Sequence, residues 1–406
     1  MGELLTARMP GQVWGVVAAD GDGPLFVTSY RGRDLDATVL TAVDLSGRVL
    51  WQREFDGHPG RPRVGRDGNV WVAHQGPLLS ELDASGRSRR TITLRHEPGE
   101  SLGAFAVVDE GVCIAWLPAG RGRPIPPGRA PRVALHAGDG ECRWSTPAVL
   151  DQLSYPGVLE IGTHTEGRIR QKRPWSPQTV RACYWTPLMV AGDRVAATFA
   201  DPGSGIAVTF FLDHGSGRLI ATTLPGPGQH KAILGPGEFL IGFQGYGAFS
   251  TAHYDADGAV VREWPTHTMP LVDRHGGIRG PEFENQVPSK SRFVTLDADG
   301  TVRPGPPLSG YYTSYPALDE EGTAVFWRDG RLLAVTADLQ LRELLVSPED
   351  RRNVMSRTLL LGRGRVALAL DDELLLLSGT GLGDLDRGPW PCGDGGLRGN
   401  PVLNVG

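Results

Sequence analysis

Three side chains suited to proton transfer stand in segments that lack a regular apolar pattern. They are His164, Glu282 and Tyr312. Imidazole, carboxylate and phenol groups can each donate or accept a proton at near-neutral pH when burial shifts their pKa values. The sequence therefore makes them candidate catalytic residues of a reaction that needs no cofactor.

Arginine and aromatic residues accompany them in segments of the same kind. An arginine fork suits a carboxylate or phosphate group, and aromatic rings commonly line small-molecule clefts. The candidate ligand-binding residues are Arg61, Arg168, Arg170, Trp175, Tyr184, Trp185, His230, Tyr246, Glu284, Asn285, Tyr311, Tyr315 and Arg357. The stretch THTEGRIRQKRPW, residues 163–175, holds four cations. These residue types predict an anionic or aromatic small molecule as ligand.

The remaining motifs exclude several kinds of site. The four cysteines form no CxxC pair, and no His/Cys spacing matches a zinc site. The phrase DADG, at 255–258 and 297–300, lacks the further carboxylates and the final glutamate of a calcium loop. We therefore expect neither a metal nor a cofactor.

Composition limits the partners. A formal net charge of -5 argues against a general nucleic-acid binder, which needs a basic surface. No apolar run approaches the ~18 residues that span a bilayer, and the N-terminus lacks the apolar region of an export signal. Only three of the 41 basic residues are lysines, a bias typical of a GC-rich bacterial genome. The sequence therefore predicts a cytoplasmic bacterial protein without membrane or nucleic-acid partners.

A short phrase that recurs along the chain indicates the elements that would position these residues. It consists of an apolar strand, a tight Asp/Gly turn and a second strand, as in TAVDLSGRVLW (41–51), FFLDHGSGRLI (210–220) and VTLDADGTVRP (294–304). The Asp side chain caps the turn, and Gly takes the positive φ that the turn requires. A period of ~40 residues built from four short strands is the signature of a β-propeller blade.

The sequence thus predicts an all-β fold, a single β-propeller of four-stranded antiparallel blades spanning residues 1–406. First strands starting near residues 13, 61, 103, 185, 231, 269, 315 and 357 indicate eight blades. Seven blades remain an alternative if the sixth or the last is misread. Residues 3–8 are expected to form the outer strand of the last blade, and 388–406 a C-terminal closing segment.

Long connections are predicted only at the blade end where the second strand joins the third and one blade joins the next. They are residues 29–38, 118–130, 146–183, 280–291 and 304–314. Long loops on a rigid scaffold are where function usually resides. The 146–183 insertion, which contains THTEGRIRQKRPW, is therefore a candidate lid.

The repeated phrase resembles that of the quinoprotein-type (PQQ-like repeat) β-propeller superfamily. The resemblance rests on Trp51, Trp144 and Trp264 at the end of the phrase, and on the pattern WP…GD…N within residues 388–401. Quinone-dependent dehydrogenases of that superfamily carry adjacent cysteines and a calcium set, which this chain lacks, so quinone is not predicted. The superfamily also includes non-catalytic scaffolds of outer-membrane assembly, sensors and a few biosynthetic enzymes.

Two classes of function follow. The leading hypothesis is small-molecule binding at the long-loop face, with a cyclase, isomerase or lyase step of specialised metabolism left open. The alternative is a non-catalytic protein-interaction scaffold or a ligand sensor using the same face. A deep pocket lined by the candidate residues would favour the first, and a centre filled by the protein's own side chains would favour a protein partner.

Overall fold

The structure is a computed structural model. It describes residues 2–31, 37–57, 61–74, 76–119, 123–150, 159–162, 168–171, 179–182, 186–202, 205–226, 228–245, 248–282, 291–310, 313–347 and 357–403. The chain divides into two compact units. Unit 1 is Met1–Leu94 with Thr268–Pro401, and unit 2 is Arg95–His267 with Val402–Gly406.

Unit 1 contains five four-stranded antiparallel sheets, each of which we call a blade. Blade 1 is β2 (Gln12–Ala18), β3 (Leu25–Arg31), β4 (Ala37–Val43) and β5 (Val49–Asp56); blade 2 is β6 (Arg63–Val64), β7 (Val70–His74), β8 (Leu78–Leu82) and β9 (Ser88–Thr93). Blade 6 is β25 (Leu271–Val272), β26 (Ile278–Pro281), β27 (Arg292–Leu296) and β28 (Val302–Pro307); blade 7 is β29 (Ala317–Leu318), β30 (Ala324–Arg328), β31 (Arg331–Val335) and β32 (Leu341–Val346). Blade 8 is β33 (Leu359–Gly362), β34 (Arg365–Leu370), β35 (Glu373–Leu377) and β1 (Leu4–Arg8).

Unit 2 contains three further blades and a small separate sheet. Blade 3 is β10 (Ser101–Val108), β11 (Gly111–Leu117), β12 (Arg132–Ala137) and β13 (Cys142–Pro147). Blade 4 is β17 (Leu188–Ala191), β18 (Arg194–Ala200), β19 (Ala207–Asp213) and β20 (Leu219–Thr222), with β16 (Arg181–Ala182) on β18 and β36 (Val402–Leu403) parallel to β17. Blade 5 is β21 (Gly228–Gly235), β22 (Glu238–Gly245), β23 (Ala248–Tyr254) and β24 (Val260–Trp264), and the separate sheet pairs β14 (Leu159–Gly162) with β15 (Arg168–Gln171).

The fold is a β-propeller of eight four-stranded antiparallel blades, which confirms the predicted fold class and the larger of the two blade counts. The N-terminal strand supplies the outer strand of blade 8, as expected. Its register runs from Leu4 opposite Leu377 to Arg8 opposite Glu373. Whether residues 1–406 act as one domain, as the sequence predicts, stays a prediction.

The Asp/Gly phrase forms the predicted turn between the third and fourth strands of a blade. In blade 5 the Asp255 carboxylate accepts hydrogen bonds from the backbone N–H groups of Asp257 and Ala259, at 3.0 and 2.9 Å. The glycine of that turn, Gly258, has a φ of +73°. The DADG phrase therefore forms the predicted structural turn in blade 5.

The tryptophan of the repeat has a packing role between consecutive blades. In unit 1 the Trp51 indole donates to the Ala84 carbonyl at 2.8 Å, and its ring covers Gly86 in the turn of blade 2. In unit 2 Trp144 does the same to the blade 4 turn, donating to the His214 carbonyl over Gly217. Each indole thus joins one blade to the turn of the next.

Burial follows the order of the strands within a blade. The second and third strands are mostly buried apolar residues, as in β30 and β31, whereas a fourth strand such as β5 is mostly exposed. Connections at one end of each blade are short turns, such as residues 109–110, 192–193 and 363–364. Apart from residues 378–401, which follow the third strand of blade 8 from the short-turn end, the long connections leave the other end, which we call the long-connection end. Among the described residues, no helix has the length and apolar character needed to cross a membrane.

Candidate functional site

Most of the predicted site residues lie outside the described residues. They are His164, Trp175, Tyr184, Trp185, Tyr246, Glu284, Asn285, Tyr311 and Tyr312. Arg168 and Arg170 belong to β15, where their backbones pair with Gly162 and Glu160. The roles predicted for these residues, and the lid predicted over 146–183, stay predictions. The side chains of Arg61, His230, Glu282, Tyr315 and Arg357 lie within the described part of the chain.

Three of these residues lie together in unit 1, each in a connection at the long-connection end of its blade. Tyr315 and Arg357 form a parallel β-bridge, in which the Thr358 N–H donates to the Tyr315 carbonyl at 3.0 Å. The guanidinium carbon of Arg61 lies 5.9 Å from the centre of the Tyr315 ring. Three of the predicted site residues are therefore neighbours in unit 1, and their predicted roles stay predictions.

A carboxylate from the C-terminal part of the chain occupies the centre of this group. Asp394 Oδ2 lies 3.1 Å from Arg61 Nη1 and 3.2 Å from Arg63 Nη1. The Asp394 side chain is 1% exposed, and those of Arg61 and Arg63 are 11% and 6% exposed. Burial lowers the pKa of Arg63, Asp394 opposes that shift, and the charges of Arg61 and Arg357 add to it. The four charged groups form one buried network, which we call the arginine cluster.

Arg357 serves mainly as a donor to backbone carbonyls. Its guanidinium donates to Gly396 at 2.9 Å, to Leu397 at 3.0 Å, to Val16 at 3.1 Å and also to Gly393. The guanidinium is planar and carries five N–H donors, so it can satisfy several carbonyls at once. Gly399, with a φ of +60°, lies against this guanidinium where an added Cβ would be 3.0 Å from Arg357 Nη2. Arg357 is thus engaged by the protein's own chain.

Three of the four acceptors, Gly393, Gly396 and Leu397, belong to a segment of unit 1, residues 385–399, which we call the inner segment. It forms β-bridges to the first strands of blades 6 and 7, through Trp390 and Cys392. Its Leu397 and Arg398 carbonyls accept hydrogen bonds from β2 and β6, the first strands of blades 1 and 2. Both Trp390 and Cys392 are buried. The inner segment therefore covers the first strands of four blades of unit 1.

Glu282 lies at the first end of the blade 6 connection whose other end is Ser291. Its carboxylate accepts the Arg292 N–H at 2.9 Å, and its carbonyl accepts Arg328 Nη1 at 2.9 Å. Arg328 is fully buried and also donates to Ser291 Oγ, to the Ser309 carbonyl and to the Gly310 carbonyl. It ties the bases of two long connections together. Sequence reasoning missed Arg328; the available signal was a cation that ends the otherwise apolar strand AVFWR.

His230 lies in unit 2, on the first strand of blade 5. It is buried beside Lys231 and stacks on His267, with ring centres 5.0 Å apart. Burial holds the pKa of His230 well below its ordinary value, and burial together with Lys231 lowers that of His267 to about 3. Gly242 makes room, because a Cβ there would lie 2.5 Å from the His267 ring. Two neutral imidazoles beside an ammonium group can hold an anion.

In the described part of the chain, no three His, Cys, Asp or Glu side chains are grouped so that they could hold a metal ion. Cys392 donates from its thiol to the Thr358 carbonyl, and burial raises its pKa to about 11. A thiol with so high a pKa is not a nucleophile at neutral pH.

Comparison with known proteins supports the fold. No family model matches the chain, and no curated protein sequence matches it. Among solved structures, BamB from Moraxella catarrhalis is similar over 93% of this chain and 100% of its own, at 13% identity and a TM-score of 0.57. The Dos1 propeller is similar over 94% and 96%, at 9% identity and a TM-score of 0.56. A catalytically inactive virginiamycin B lyase from Staphylococcus aureus, solved with quinupristin, is similar over 93% and 99%, at 10% identity and a TM-score of 0.45. At such identities the likeness concerns the β-propeller fold alone.

Proposed function

We propose that this protein is a non-catalytic β-propeller scaffold that binds a partner protein at the long-connection ends of its blades. The tryptophan–turn contacts of Trp51 and Trp144 support placing it in the quinoprotein-type (PQQ-like repeat) superfamily. The cytoplasmic bacterial setting predicted from the sequence belongs to the same proposal.

One observation carries the proposal. Arg61 and Arg357, predicted to anchor an anionic small molecule, are engaged by the inner segment through Asp394 and backbone carbonyls. Tyr315, predicted to pack on the ligand, is 2% exposed and lies against Gly393. These groups therefore stabilise the packing of the inner segment on the first strands of unit 1. Because Arg61 and Arg357 are engaged by the protein's own chain, we expect recognition at the ends of the long connections.

Small-molecule binding is the second candidate, and the group formed by His230, Lys231 and His267 favours it. Ammonium and imidazole groups can donate hydrogen bonds to a carboxylate or a phosphate. On this alternative unit 2 holds the ligand, and a cofactor-independent cyclisation, isomerisation or elimination remains the reaction class predicted from the sequence. The unit 1 cluster would then be structural only.

Site-specific photocrosslinking separates the two candidates. A benzoylphenylalanine replaces Arg292, which is exposed at the long-connection end of blade 6, or Ala298, which is exposed in the turn at the opposite end. The scaffold proposal predicts a discrete polypeptide adduct from position 292 and none from position 298. The adducted protein, purified separately, should bind this chain. Equal adducts from both positions, or none from either, would contradict the proposal.

A further inference from the structure

We infer that the partner protein carries a groove lined by aromatic side chains, and that this groove takes the sequence RPIPP, residues 123–127, which we call the proline stretch. The proline stretch lies in blade 3 between β11 and β12, at the long-connection end. The inference rests on the proposed function and adds the chemistry of the partner. Its basis is the backbone conformation that the prolines impose, together with the exposure of their side chains.

The sequence of the proline stretch favours an extended backbone at every position. A proline ring fixes its own φ near −65°, and its bulk disfavours the helical conformation for the residue before it. With prolines at positions 124, 126 and 127, each of the five residues is either a proline or precedes one. The stretch is therefore preset as a polyproline II helix, which has three residues per turn and makes no internal hydrogen bonds.

The burial of the proline stretch follows the same period of three. Ile125 is half-buried and packs against the apolar cluster of blades 3 and 4. In a helix with three residues per turn, Pro124 and Pro127 share a second face, and Arg123 and Pro126 share a third. These four residues are all exposed. One face thus attaches the stretch to the blade, and the other two face solvent.

The chain is fixed directly after the proline stretch. The Arg129 N–H donates to the Pro126 carbonyl at 3.1 Å, across a turn in which Gly128 has a φ of +73°. At the start of β12, the Arg132 guanidinium donates two hydrogen bonds of 2.7 Å to the Glu100 carboxylate. A segment that is already held in its bound conformation loses little conformational entropy when a partner binds it.

These features match the ligand of an aromatic groove. Polyproline II segments of the type PxxP dock in grooves lined by aromatic side chains. Pro124 and Pro127 have this spacing and lie on the same exposed face. Arg123 precedes the first proline and is exposed, so a carboxylate of the partner can pair with its guanidinium. The partner is therefore a protein with an aromatic groove and an acidic side chain at one end of it.

A panel of fluorescein-labelled SH3 and WW domains tests the inference on the full chain by fluorescence anisotropy, because the grooves of these domains take PxxP segments. At least one domain should bind the wild-type protein. The double variant Pro124→Ala/Pro127→Ala removes both anchors of the shared face and should raise the Kd at least about 10-fold. Pro202→Ala is the matched control, because Pro202 is an exposed proline outside any PxxP sequence at the long-connection end of blade 4, and its Kd should stay within about twofold.

A peptide readout keeps the test valid even where the double variant folds poorly. The free peptide RPIPPG, residues 123–128, should compete with the wild-type chain for the bound domain, and the same peptide with both prolines replaced by alanine should not. The inference is overturned if no domain of the panel binds, if the double variant binds as wild type does, or if the peptide fails to compete.

The failure of this inference is distinguishable from the failure of the scaffold proposal. A partner captured at position 292 whose Kd is equal for wild type and for Pro124→Ala/Pro127→Ala would leave the scaffold proposal standing and reject the proline contact alone. The absence of any adduct from position 292 would reject the scaffold proposal itself.

Discussion

The indole nitrogen of Trp144 donates to the backbone carbonyl of His214 at 2.8 Å, and the indole ring lies directly over Gly217. The two residues belong to consecutive blades, so one side chain both fills an apolar gap and satisfies a turn carbonyl of its neighbour. Trp51 repeats the arrangement with Ala84. Tryptophan and the Asp/Gly turn recur together in the sequence because these indoles pack on the turn of the next blade and donate a hydrogen bond to it.

Gly217→Ala should destabilise the protein by about 2–4 kcal/mol. The residue has a φ of +72°, so alanine would be strained in the left-handed region. The added Cβ would also lie 2.4 Å from the Trp144 ring, and this overpacking adds to the loss of stability. The matched control is Gly215→Ala in the same turn, where the nearest atom would be 3.6 Å away. Urea unfolding should show a change within about 0.5 kcal/mol for the control. Equal effects of the two variants would refute the packing role.

Arg328→Met should lower the free energy of unfolding by about 3–5 kcal/mol, because three carbonyls and Ser291 Oγ lose a buried donor. Arg328→Lys should recover part of the loss, since an ammonium group supplies three donors. The control in the same hairpin is Arg331→Met, whose half-exposed ion pair with Glu343 contributes at most about 1 kcal/mol. Chemical denaturation measures all three. Similar losses at 328 and 331 would show that Arg328 does not tie the connections together.

Asp394→Asn tests the charge of the arginine cluster while keeping its shape. Asparagine tolerates the left-handed φ of +58° at this position, so the expected loss of about 2–4 kcal/mol reflects the missing carboxylate between Arg61 and Arg63. Asp372→Asn is the control, because Asp372 pairs with an exposed arginine, Arg8. In thermal unfolding, the Tm of Asp394→Asn should lie several degrees below that of Asp372→Asn. A stable Asp394→Asn variant would mean that the inner segment is held by its backbone contacts alone.

Acidification should destabilise the protein through its buried histidines. His267 has a pKa of about 3 in the folded state and about 6.5 when unfolded. Above pH 6.5 the His267 imidazole is neutral in both the folded and the unfolded state. Below it only the unfolded state takes up the proton, so stability falls by about 1.4 kcal/mol per pH unit until pH ~3. Buried His136, whose pKa is also lowered by burial, changes stability in the same direction.

Unfolding free energies at pH 7.5, 6.0 and 5.0 check this dependence. His267→Gln should flatten the decline between pH 6.0 and 5.0 by about 1 kcal/mol. The exposed residue His275 offers the matched control, and His275→Gln should leave the slope unchanged. An unaltered slope in His267→Gln would mean that the imidazole titrates alike in both states.

The features that the sequence predicted correctly depend on interactions within a short stretch of chain. Blade number, first-strand positions and the pairing of residues 3–8 with the last blade follow from a short repeat whose Asp and Gly act within one turn. The sequence also places Arg61, Tyr315 and Arg357 at one blade end, near the starts of first strands, because strand order alone determines at which end a strand begins.

The features that the sequence did not predict depend on contacts between distant parts of the chain or on backbone groups that no motif marks. Asp394 stands 333 positions from Arg61, and the pattern WP…GD…N that contains it does not identify it as the counterion of Arg61. Arg328 and Arg357 donate to backbone carbonyls, which every residue possesses and no motif reveals. The pairing of β14 with β15 inside the 146–183 insertion was likewise hidden, because the charged stretch lacks alternation.

Native mass spectrometry of the purified chain tests most directly the claim that the protein is a scaffold, because it measures the mass of the protein together with any bound ligand or partner. The scaffold proposal predicts the mass of the polypeptide alone and, after addition of the partner captured at position 292, a complex of defined stoichiometry. A stoichiometric small molecule of a few hundred daltons, released on denaturation and absent from a Lys231→Met variant, would contradict it and establish unit 2 as a ligand site.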